Sequence, residues 1–461
     1  MIKKNRKIKI YFIGIGGIGM SGIAELMHKI GYTVTGSDKV ENENVKRLKD
    51  IGINIKIGHN KKNIQDVNAV VFSSAISSKN PEIQEAKKNQ IPIVSRADML
   101  SELMKNKKCI AIAGSHGKTT TTSLVGNILE LGKLDPTIVN GGIINSFSKN
   151  NKFGKGEWMV VEADESDGSF LKLPHEISII TNLDIEHLDY YKTSKNLYSA
   201  FDKFIMNLPF YGISIVNEDD TNLKKIIEQN DTRKIISFSK KNKKASVFIE
   251  KISFKNQFSC FTLKINIPIN NLSGSYSYKI KAIGLHNVYN GAASIIAGLL
   301  AGVKNSYIRD ALKNYIGVKR RFTHLGNVNL SNIYDDYAHH PTEIAATLSG
   351  AKQINKNIIV VFQPHRYSRT KILFNDFVNV LSKIKSLYLL DTYSAGEKKI
   401  KGYESINIYL KLKKMNKNVV YVGNRNLKKL IYNETIKNNI IIFMGAGSIS
   451  KIASNFLRIN E

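Results

Sequence analysis

Cysteine and long apolar runs are the scarcest features of this 461-residue sequence. Its two cysteines, Cys109 and Cys260, belong to no C-x-x-C pair, so the sequence predicts neither a disulfide framework nor a thiolate metal site. That usage fits a reducing compartment, and we expect a cytoplasmic protein. No stretch is apolar over enough residues to predict a membrane-spanning helix, so we expect no membrane partner.

Acidic residues are also few, because 38 Asp and Glu stand against 68 Lys and Arg, and the formal net charge is +30. An excess of this size is typical of nucleic-acid-binding proteins. The lysines, however, are spread over the whole chain, in runs such as "KKNKK" at 240–244, without interleaved aromatic residues. We therefore interpret the charge as solvated surface that helps to attract an anionic substrate, and we expect no nucleic-acid partner.

The first motif is "FIGIGGIGMSG", residues 12–22, which indicates a buried strand, a glycine-rich turn and a helix. The glycines interrupt the apolar run, which therefore predicts folded structure rather than the secretory signal that the basic start imitates. Gly14, Gly16 and Gly19 fit the pattern G-x-G-x-x-G, and Asp38 ends the next predicted strand, where an NAD site binds a ribose hydroxyl. Taken alone, the motif favours NAD.

The second motif is "AGSHGKTTTT", residues 113–122, which a buried strand enters and a helix leaves. Gly114 and Gly117 let the backbone approach an anion closely, and Lys118 would neutralise its phosphates. Ile112 stands where the general P-loop pattern has glycine, so this is a shortened G-x-x-G-K-T loop. Because this loop is suited to a nucleoside triphosphate, we predict a different nucleotide at the first loop.

Acidic side chains follow two neighbouring strands of the predicted central sheet. The first strand is followed by Glu162, Asp164, Glu165 and Asp167 in "EADESDGSF". The second is followed by Asp184, Glu186, His187 and Asp189 in "TNLDIEHLDYY". The carboxyl ends of parallel strands are where open α/β sheets bind ligands. Carboxylates beside a phosphate loop therefore predict a Mg²⁺-phosphate site.

Alternating strand and helix patterns predict an α/β fold with parallel sheets and crossover helices. We predict three domains: an N-terminal Rossmann-like domain over 1–105, a central P-loop ATPase-like domain over 106–322 and a C-terminal Rossmann-like domain over 323–461. Within the central domain, residues 246–284 show the alternation of an antiparallel β insert. We interpret "FMGAGSIS", residues 443–450, as close backbone packing rather than another nucleotide site.

The ordered set of motifs resembles the Mur ligases, the ATP-dependent amide-forming enzymes of peptidoglycan synthesis. The resemblance covers essentially the full length and all three domains. Nine blocks carry it, in the order of the family: "GIGGIGMSG", "AGSHGKTTTT", "EADESDGSF", "TNLDIEHLDYY", "GLHNVYN", "GVKRRF", "YDDYAHHPTEI", "QPHRYSRT" and "DTYSAGE".

The resemblance implies that L-alanine is joined to the carboxylate of UDP-N-acetylmuramate through an acyl-phosphate, with ATP and two Mg²⁺ ions. Thr119, Glu162 and His187 would hold the metal ions. Lys118, His340, Arg366 and Arg369 would act in catalysis or around the substrate carboxylate and the amino acid. The implied ATP-binding residues are Gly114, Ser115, His116, Gly117, Lys118, Thr119, Thr120, His286, Asn287, Arg321 and Asp336.

The N-terminal domain would bind the UDP part of the first substrate. The implied contacts are Gly14, Gly16, Gly17, Gly19, Met20, Ser21, Asp38, His59 and Ser73. Related ligases carry a carbamylated lysine near the metals, and Lys192 and Lys195 lie in the corresponding region without a definite match. The resemblance says nothing about the oligomeric state.

Other interpretations stay open at this point. A murein-peptide ligase would attach a whole tripeptide to the same nucleotide sugar by the same chemistry. An NAD-dependent oxidoreductase with an added NTPase domain, or a basic nucleic-acid-binding ATPase, would use the two loops differently. Locally, "AHHP" at 338–341 also fits a capped helix start, and "PHRYSRT" at 364–370 also fits a basic one.

Overall fold

A computed structural model describes residues 8–73, 75–146, 149–230, 232–268, 272–415, 417–423 and 425–458. Its strands form three sheets, of five, ten and six strands. The chain divides into two compact units, the first made of residues 1–249, 263–276 and 290–311. The second unit is made of residues 250–262, 277–289 and 312–461.

The N-terminal sheet has the strand order β3-β2-β1-β4-β5, and all of its neighbouring strands are parallel. The chain order reverses beside β1, which creates the crevice at which sheets of this kind bind ligands. The strands are β1 (Lys9–Ile13), β2 (Thr33–Asp38), β3 (Asn54–Ile57), β4 (Ala69–Phe72) and β5 (Ile93–Ser95). The helices are α1 (Ile18–Lys29), α2 (Glu43–Asp50), α3 (Pro81–Lys88) and α4 (Arg96–Met104).

The central sheet has ten strands, and β6, which leads into the second loop, lies between β10 and β9. Its core order is β12-β11-β10-β6-β9-β7-β8, parallel except between β7 and β8. These strands are β6 (Lys108–Ala113), β7 (Thr137–Ile144), β8 (Lys149–Lys152), β9 (Trp158–Glu162), β10 (Ile177–Ile180), β11 (Ile213–Asn217) and β12 (Lys234–Ser239). The insert contributes β13 (Val247–Lys255), β14 (Phe258–Ile267) and β15 (Leu272–Ile280).

Helices of the central part of the chain surround this sheet. The first, α5, begins directly after the second loop, as the strand-loop-helix pattern predicts. The helices are α5 (Lys118–Leu131), α6 (Leu188–Tyr191), α7 (Ser194–Met206), α8 (Thr221–Gln229), α9 (Leu285–Leu300) and α10 (Asn305–Lys313). Two short 3-10 helices lie at Lys61–Asn63 and Ser169–Lys172.

The N-terminal and central sheets share one hydrophobic core, which explains why they form a single unit. This core joins Met20, Met99 and Met104 of the N-terminal sheet's helices to Phe170 and Phe201 of the central part. The Phe170 ring lies 5.3 Å from that of Phe201 and 5.0 Å from that of Phe204, centroid to centroid. Burial of these aromatic side chains therefore stabilises both sheets together.

The C-terminal sheet has the order β16-β17-β21-β18-β19-β20, with an antiparallel pair at one edge and parallel pairs elsewhere. Apolar clusters cover both faces, which is why its central strands are continuously apolar. The strands are β16 (Thr323–Val328), β17 (Ser331–Asp336), β18 (Ile358–Phe362), β19 (Ser386–Leu389), β20 (Val419–Tyr421) and β21 (Ile440–Met444). The helices are α11 (Pro341–Ala351), α12 (Tyr367–Ile372), α13 (Phe374–Leu381), α14 (Ser405–Lys414), α15 (Leu427–Thr435) and α16 (Ile449–Arg458).

The predicted α/β class with three parallel-rich sheets is confirmed, whereas the domain boundaries stay predictions. The glycine-rich segment 443–450 packs closely, because a Cβ atom at Gly447 would lie 2.6 Å from the Tyr393 ring. Both cysteines are free thiols. Across the described ranges, every helix is too short or too polar to cross a bilayer.

We expect Phe170→Ala to lower the free energy of unfolding by about 3–5 kcal/mol, because it leaves a cavity in the shared core. Chemical denaturation followed by circular dichroism measures this loss. Phe210, which is 88% exposed, is the matched control. Phe210→Ala should change the free energy of unfolding by less than about 0.5 kcal/mol. Equal stability of the two variants would contradict the shared core.

Candidate functional site

The second glycine-rich loop connects β6 to α5 at the carboxyl edge of the central sheet. Gly114 and Gly117 have φ angles of 129° and 84°, in the region that favours glycine. The loop is hydrogen-bonded to the segment that follows β10. The N–H of Ser115 donates to the backbone carbonyl of Asn182 at 3.1 Å, and the N–H of His116 donates to its side-chain oxygen at 2.8 Å. The N–H groups at the start of α5 have no acceptors within the helix and are the ones available to an anion.

Lys118 is the cation of this loop, and its side chain is only 14% exposed. Its Nζ atom donates to the carbonyls of Gly114 and Ser115 at 2.6 and 3.1 Å, and to Glu165 at 2.9 Å. Burial acts to lower the pKa of Lys118, but the carboxylates of Glu165 and Asp164 outweigh it and raise this pKa. The ammonium group is therefore held charged at the loop.

Thr119 and Glu162, two of the residues predicted to bind metal, lie together beside this lysine. The Thr119 hydroxyl donates to one carboxylate oxygen of Glu162 at 3.0 Å, and the N–H of Gly141 donates to the other at 2.7 Å. A hydroxyl and a carboxylate are oxygen ligands of the kind that Mg²⁺ prefers.

His187 lies in a second group, with Glu165 and Glu186. One ligand atom from each of these residues lies within 4.8 Å of the others, a spacing that can hold a metal ion. Burial lowers the pKa of His187, which keeps its ring neutral and able to bind a metal. His187 has a φ angle of 57°, a strained value for a non-glycine residue. Lys192 and Lys195, by contrast, are exposed.

Glu165 and Asp164 have different protonation equilibria although they are adjacent. Burial raises the pKa of Glu165 to about 7, against the opposing charge of Lys118. Burial also acts to raise the pKa of Asp164, but Lys118, the hydrogen bonds of Ser166 and the charge of Arg96 lower it on balance.

The backbone of the first loop is hydrogen-bonded to the end of β2. The N–H of Gly16 donates to Asp38 at 2.8 Å, and Gly14 and Ile15 donate to the carbonyl of Ser37 at 2.8 and 3.0 Å. Asp38 therefore stabilises the glycine turn, whether or not it also binds a ligand.

The other residues predicted to contact a ligand at the first loop differ in their exposure. Gly17 is the exposed N-cap of α1, and Ser73 lies next to Gly14. Met20 and Ser21 are fully buried, and the Met20 side chain packs next to Gly17.

His59 lies at the same edge, directly after β3. Its Nδ1 atom lies 2.8 Å from the fully buried carboxylate of Glu82 and 3.0 Å from the Ser37 hydroxyl. Its Nε2 atom is buried and has no hydrogen-bond partner in the described part of the chain. A buried polar atom of this kind is suited to a ligand.

In the second unit, Asp336 is buried at the end of β17 and holds the local backbone. Its oxygens accept from the N–H groups of Phe322 and Ala338 at 2.7 Å each, and from the Thr347 hydroxyl at 3.3 Å. Burial raises the pKa of Asp336 to about 6, against the charge of Arg321. Asp336, which is predicted to contact a ribose, therefore holds the backbone at Phe322 and Ala338 in place.

His340 begins α11 in a capping box, so the capped helix start is confirmed. Its Nδ1 atom accepts from the N–H of Thr342 at 3.3 Å, and Glu343 accepts from the N–H groups of His339 and His340. Glu343 also lies 3.6 Å from the Arg321 guanidinium. Arg321 and His340 are therefore connected through one carboxylate.

Arg366 and Arg369 lie at α12, next to His365. Arg369 lies 3.4 Å from Nδ1 of His365, and the His365 ring lies 6.0 Å from that of His339. Arg366 has a φ angle of 70°, which is strained for arginine. Burial, together with Arg369, lowers the pKa of His365 to about 4, and burial also lowers the pKa of His339 to about 4.

His286 and Asn287 begin α9, after Gly284 at a φ angle of 109°. The Asn287 side chain donates to the carbonyl of Ile283 at 2.9 Å. Burial and the charge of Arg321 lower the pKa of His286 to about 4, so this ring is neutral near pH 7.

The structure thus brings the predicted residues into groups that sequence spacing alone does not define. Lys118, Thr119 and Glu162 form one group, and Arg321, His340 and Arg369 are linked through the start of α11. Glu165 and Glu186, which belong to the predicted acidic clusters, join these groups, and so do His339 and His365, which the sequence did not assign to a site. All four lie inside the motifs quoted above, so their polar character was visible, but their contacts were not.

Three family models match consecutive parts of this chain. The Mur ligase family, catalytic domain, matches residues 9–108. The Mur ligase middle domain matches residues 112–298, and the Mur ligase, glutamate ligase domain, matches residues 320–447.

Curated relatives match over nearly the full length. The UDP-N-acetylmuramate–L-alanine ligase of Rickettsia massiliae (strain Mtu5) is 44% identical, over 99% of this chain and 96% of its own. The enzyme of that name from Rickettsia canadensis (strain McKiel) is 45% identical, over 96% and 95%.

Solved structures have the same fold. The UDP-N-acetylmuramate-alanine ligase MurC of Thermotoga maritima superimposes with a TM-score of 0.80 at 30% identity, over 98% of this chain and 99% of its own. A murein peptide ligase from Psychrobacter arcticus 273-4 has a TM-score of 0.73 at 24% identity, over 98% of each chain, and supports the fold alone.

We expect Asp336→Asn to change the pH dependence of stability. Burial raises the pKa of folded Asp336 from 3.8 to about 6, so the folded state keeps a proton that the unfolded state has released. This stabilisation is complete below about pH 4 and is lost as the pH rises through about 6. Between pH 4 and pH 7, the unaltered protein should therefore lose about 2–3 kcal/mol relative to Asp336→Asn.

Urea unfolding at several pH values measures this difference. Asp376 is exposed in the same unit, and Asp376→Asn should give a pH profile parallel to that of the unaltered protein. A parallel profile for Asp336→Asn as well would show that Asp336 titrates normally.

Proposed function

The chain belongs to the Mur ligase family, and on that premise we propose that it joins L-alanine to the carboxylate of UDP-N-acetylmuramate, with conversion of ATP to ADP and phosphate. Mur ligases are ATP-dependent amide-forming enzymes. The names of the full-length relatives support this substrate pair. The product would be UDP-N-acetylmuramoyl-L-alanine, used in peptidoglycan synthesis.

The geometry of Lys118 is the observation that carries the proposal. Lys118 holds a buried ammonium group beside the glycine loop and is the first residue of a 14-residue helix. The first N–H groups of this helix are available to an incoming anion. The β- and γ-phosphates of ATP would displace Glu165 or the loop carbonyls from Lys118. The lysine then offsets charge on the phosphoryl group as it is transferred.

The acidic groups around this loop fit Mg²⁺. Thr119 and Glu162 would hold one ion, and His187 with Glu165 and Glu186 would hold a second. Bound there, Mg²⁺ would offset the negative charge of the ATP phosphates.

The first loop would hold the UDP part of the other substrate. The N–H groups of Gly14, Ile15 and Gly16 are used within the turn, so those at the start of α1 would bind the diphosphate. His59 would offer a buried ring nitrogen to the nucleoside or sugar. This role needs no redox cofactor.

Residues of the second unit would bind the amino acid. Arg366 and Arg369 suit its carboxylate, since a guanidinium group donates two parallel hydrogen bonds. His340 is then the candidate to orient the amine or accept its proton.

The reaction needs activation because a carboxylate oxygen is a poor leaving group. The muramoyl carboxylate would attack the γ-phosphorus of ATP, which releases ADP and forms an acyl-phosphate. The neutral amine of L-alanine then attacks the acyl carbon, phosphate leaves with the former carboxylate oxygen, and the amine loses a proton. The protein must keep water away from the acyl-phosphate, which would otherwise be hydrolysed.

Two other functions remain as outcomes of the tests. A murein-peptide ligase would prefer the tripeptide L-Ala-γ-D-Glu-meso-diaminopimelate over L-alanine. An NAD-dependent oxidoreductase would bind NADH at the first loop. No observation in the described residues favours either over the L-alanine reaction.

We expect Lys118→Ala to lower kcat for phosphate release by at least about 100-fold, because the charge on the transferred phosphoryl group is no longer offset. The assay follows phosphate in the presence of ATP, Mg²⁺, UDP-N-acetylmuramate and L-alanine. Omission of either carbon substrate should abolish release from the unaltered protein.

Lys243 is exposed and serves as the control for the loss of one lysine, so Lys243→Ala should retain activity within about twofold. Near-normal turnover by Lys118→Ala would remove the second loop from the reaction.

We expect kcat/KM for L-alanine to exceed that for the tripeptide by at least about tenfold, if the arginines of α12 bind the carboxylate of a single amino acid. The same phosphate assay compares the two amines at fixed UDP-N-acetylmuramate. A preference for the tripeptide would instead assign the chain to the murein-peptide ligases.

A further inference from the structure

Arg96 lies against the first turn of α1, at the glycine-rich loop of the N-terminal sheet. Its Nη1 atom lies 2.9 Å from the point where a side chain at Gly19 would place its Cβ atom. Gly19, the third glycine of the motif, therefore clears the space that the guanidinium group fills. In many dinucleotide sites, this glycine serves close packing of helix and strand instead.

The surroundings of Arg96 point to an anion. The N-terminal end of a helix carries partial positive charge, so a cation is unfavourable there by itself. The first turn of α1 contains no acidic residue, and its N-cap, Gly17, provides no side-chain acceptor. An anion bound between this turn and Arg96 would remove the repulsion.

No carboxylate forms an ion pair with Arg96 within the described ranges. Asp98, two residues further along α4, binds Lys172 at 2.8 Å and accepts from the Ser95 hydroxyl at 2.6 Å. Asp164 is affected by the charge of Arg96, but the charge of Lys118 has the larger effect on it. The guanidinium donors therefore remain available to a ligand.

The backbone of Arg96 is fixed at the edge where ligands bind. Ser95 ends β5 in parallel register with Phe72 of β4, and its hydroxyl caps α4 by accepting from the N–H of Asp98 at 3.2 Å. Arg96 therefore begins α4 at the carboxyl edge of the sheet, and the first loop lies at the same edge. The charge of Arg96 also helps to lower the pKa of Asp164, in the acidic cluster beside the second loop.

We propose that Arg96 binds the diphosphate of the nucleotide sugar and thereby selects a nucleoside diphosphate over a monophosphate at the first loop. The inference rests on the proposed function, which supplies the ligand. A guanidinium group donates two hydrogen bonds to phosphate oxygens, while the first turn of α1 supplies N–H groups to the same anion. The glycine motif then needs Gly19 to give this arginine access.

Binding of UDP and UMP, measured by isothermal titration calorimetry, tests the proposal. The second loop is first saturated with Mg²⁺ and the non-hydrolysable ATP analogue AMP-PNP. Arg96→Gln should weaken UDP by about tenfold or more and UMP by less than about threefold. Arg96→Lys should weaken UDP less, since it keeps the charge but not the paired donors.

Arg309, exposed on α10, is the control, and Arg309→Gln should leave both affinities unchanged. Steady-state kinetics gives a second readout: for Arg96→Gln, KM for UDP-N-acetylmuramate should rise while kcat stays within about twofold. The circular dichroism spectra and thermal midpoints of the variants confirm that they are folded.

Equal weakening of UDP and UMP, no weakening of either, or a fall in kcat at constant KM would overturn this role for Arg96. Each of those outcomes leaves the proposed function intact. Failure of UDP to bind the unaltered protein would instead contradict the proposed function together with the inference.

Discussion

The buried ammonium group of Lys118 is the interaction on which the central site depends. Two loop carbonyls and Glu165 surround it, so a positive charge is held where β6 meets α5. Glu165 in turn lies beside Glu186 and His187, and the adjacent Thr119 binds Glu162. The charge of one lysine therefore organises the oxygen-rich groups around it. The same arrangement provides a place for the γ-phosphate that must be transferred.

The chain has similar glycine-rich turns at two sheet edges, and we propose a different anion for each of them. At the first loop, Asp38 binds the backbone of Gly16, and Arg96 is the nearby cation. At the second, the cation is Lys118, the first residue of the helix that follows the loop. Both turns exploit glycine at a helix start, but the side chains around them differ in charge and in burial. Those surroundings, rather than the turns, determine which nucleotide each loop suits.

Much of the fold could be predicted because apolar strands and glycine turns are local signals. Strands β1, β6, β18 and β21 lie where their buried apolar runs indicate. Strand β3 has no such apolar run, because only Ile55 of its four residues is buried. Strand β16 also lacks a continuous apolar run, since it lies at a sheet edge and has a bulge near His324. In the site, the residue types of Glu165 and His365 were visible within motifs. Their partners come from distant parts of the chain, and periodicity carries no information on such contacts.

We propose that ATP activates the muramoyl carboxylate as an acyl-phosphate. UDP-N-acetylmuramate labelled with ¹⁸O in that carboxylate tests it most directly, with mass spectrometry of the phosphate released during ligation to L-alanine. We expect one labelled oxygen in phosphate for each amide formed, because the carboxylate oxygen leaves with the phosphoryl group. Amide formation with unlabelled phosphate would contradict it.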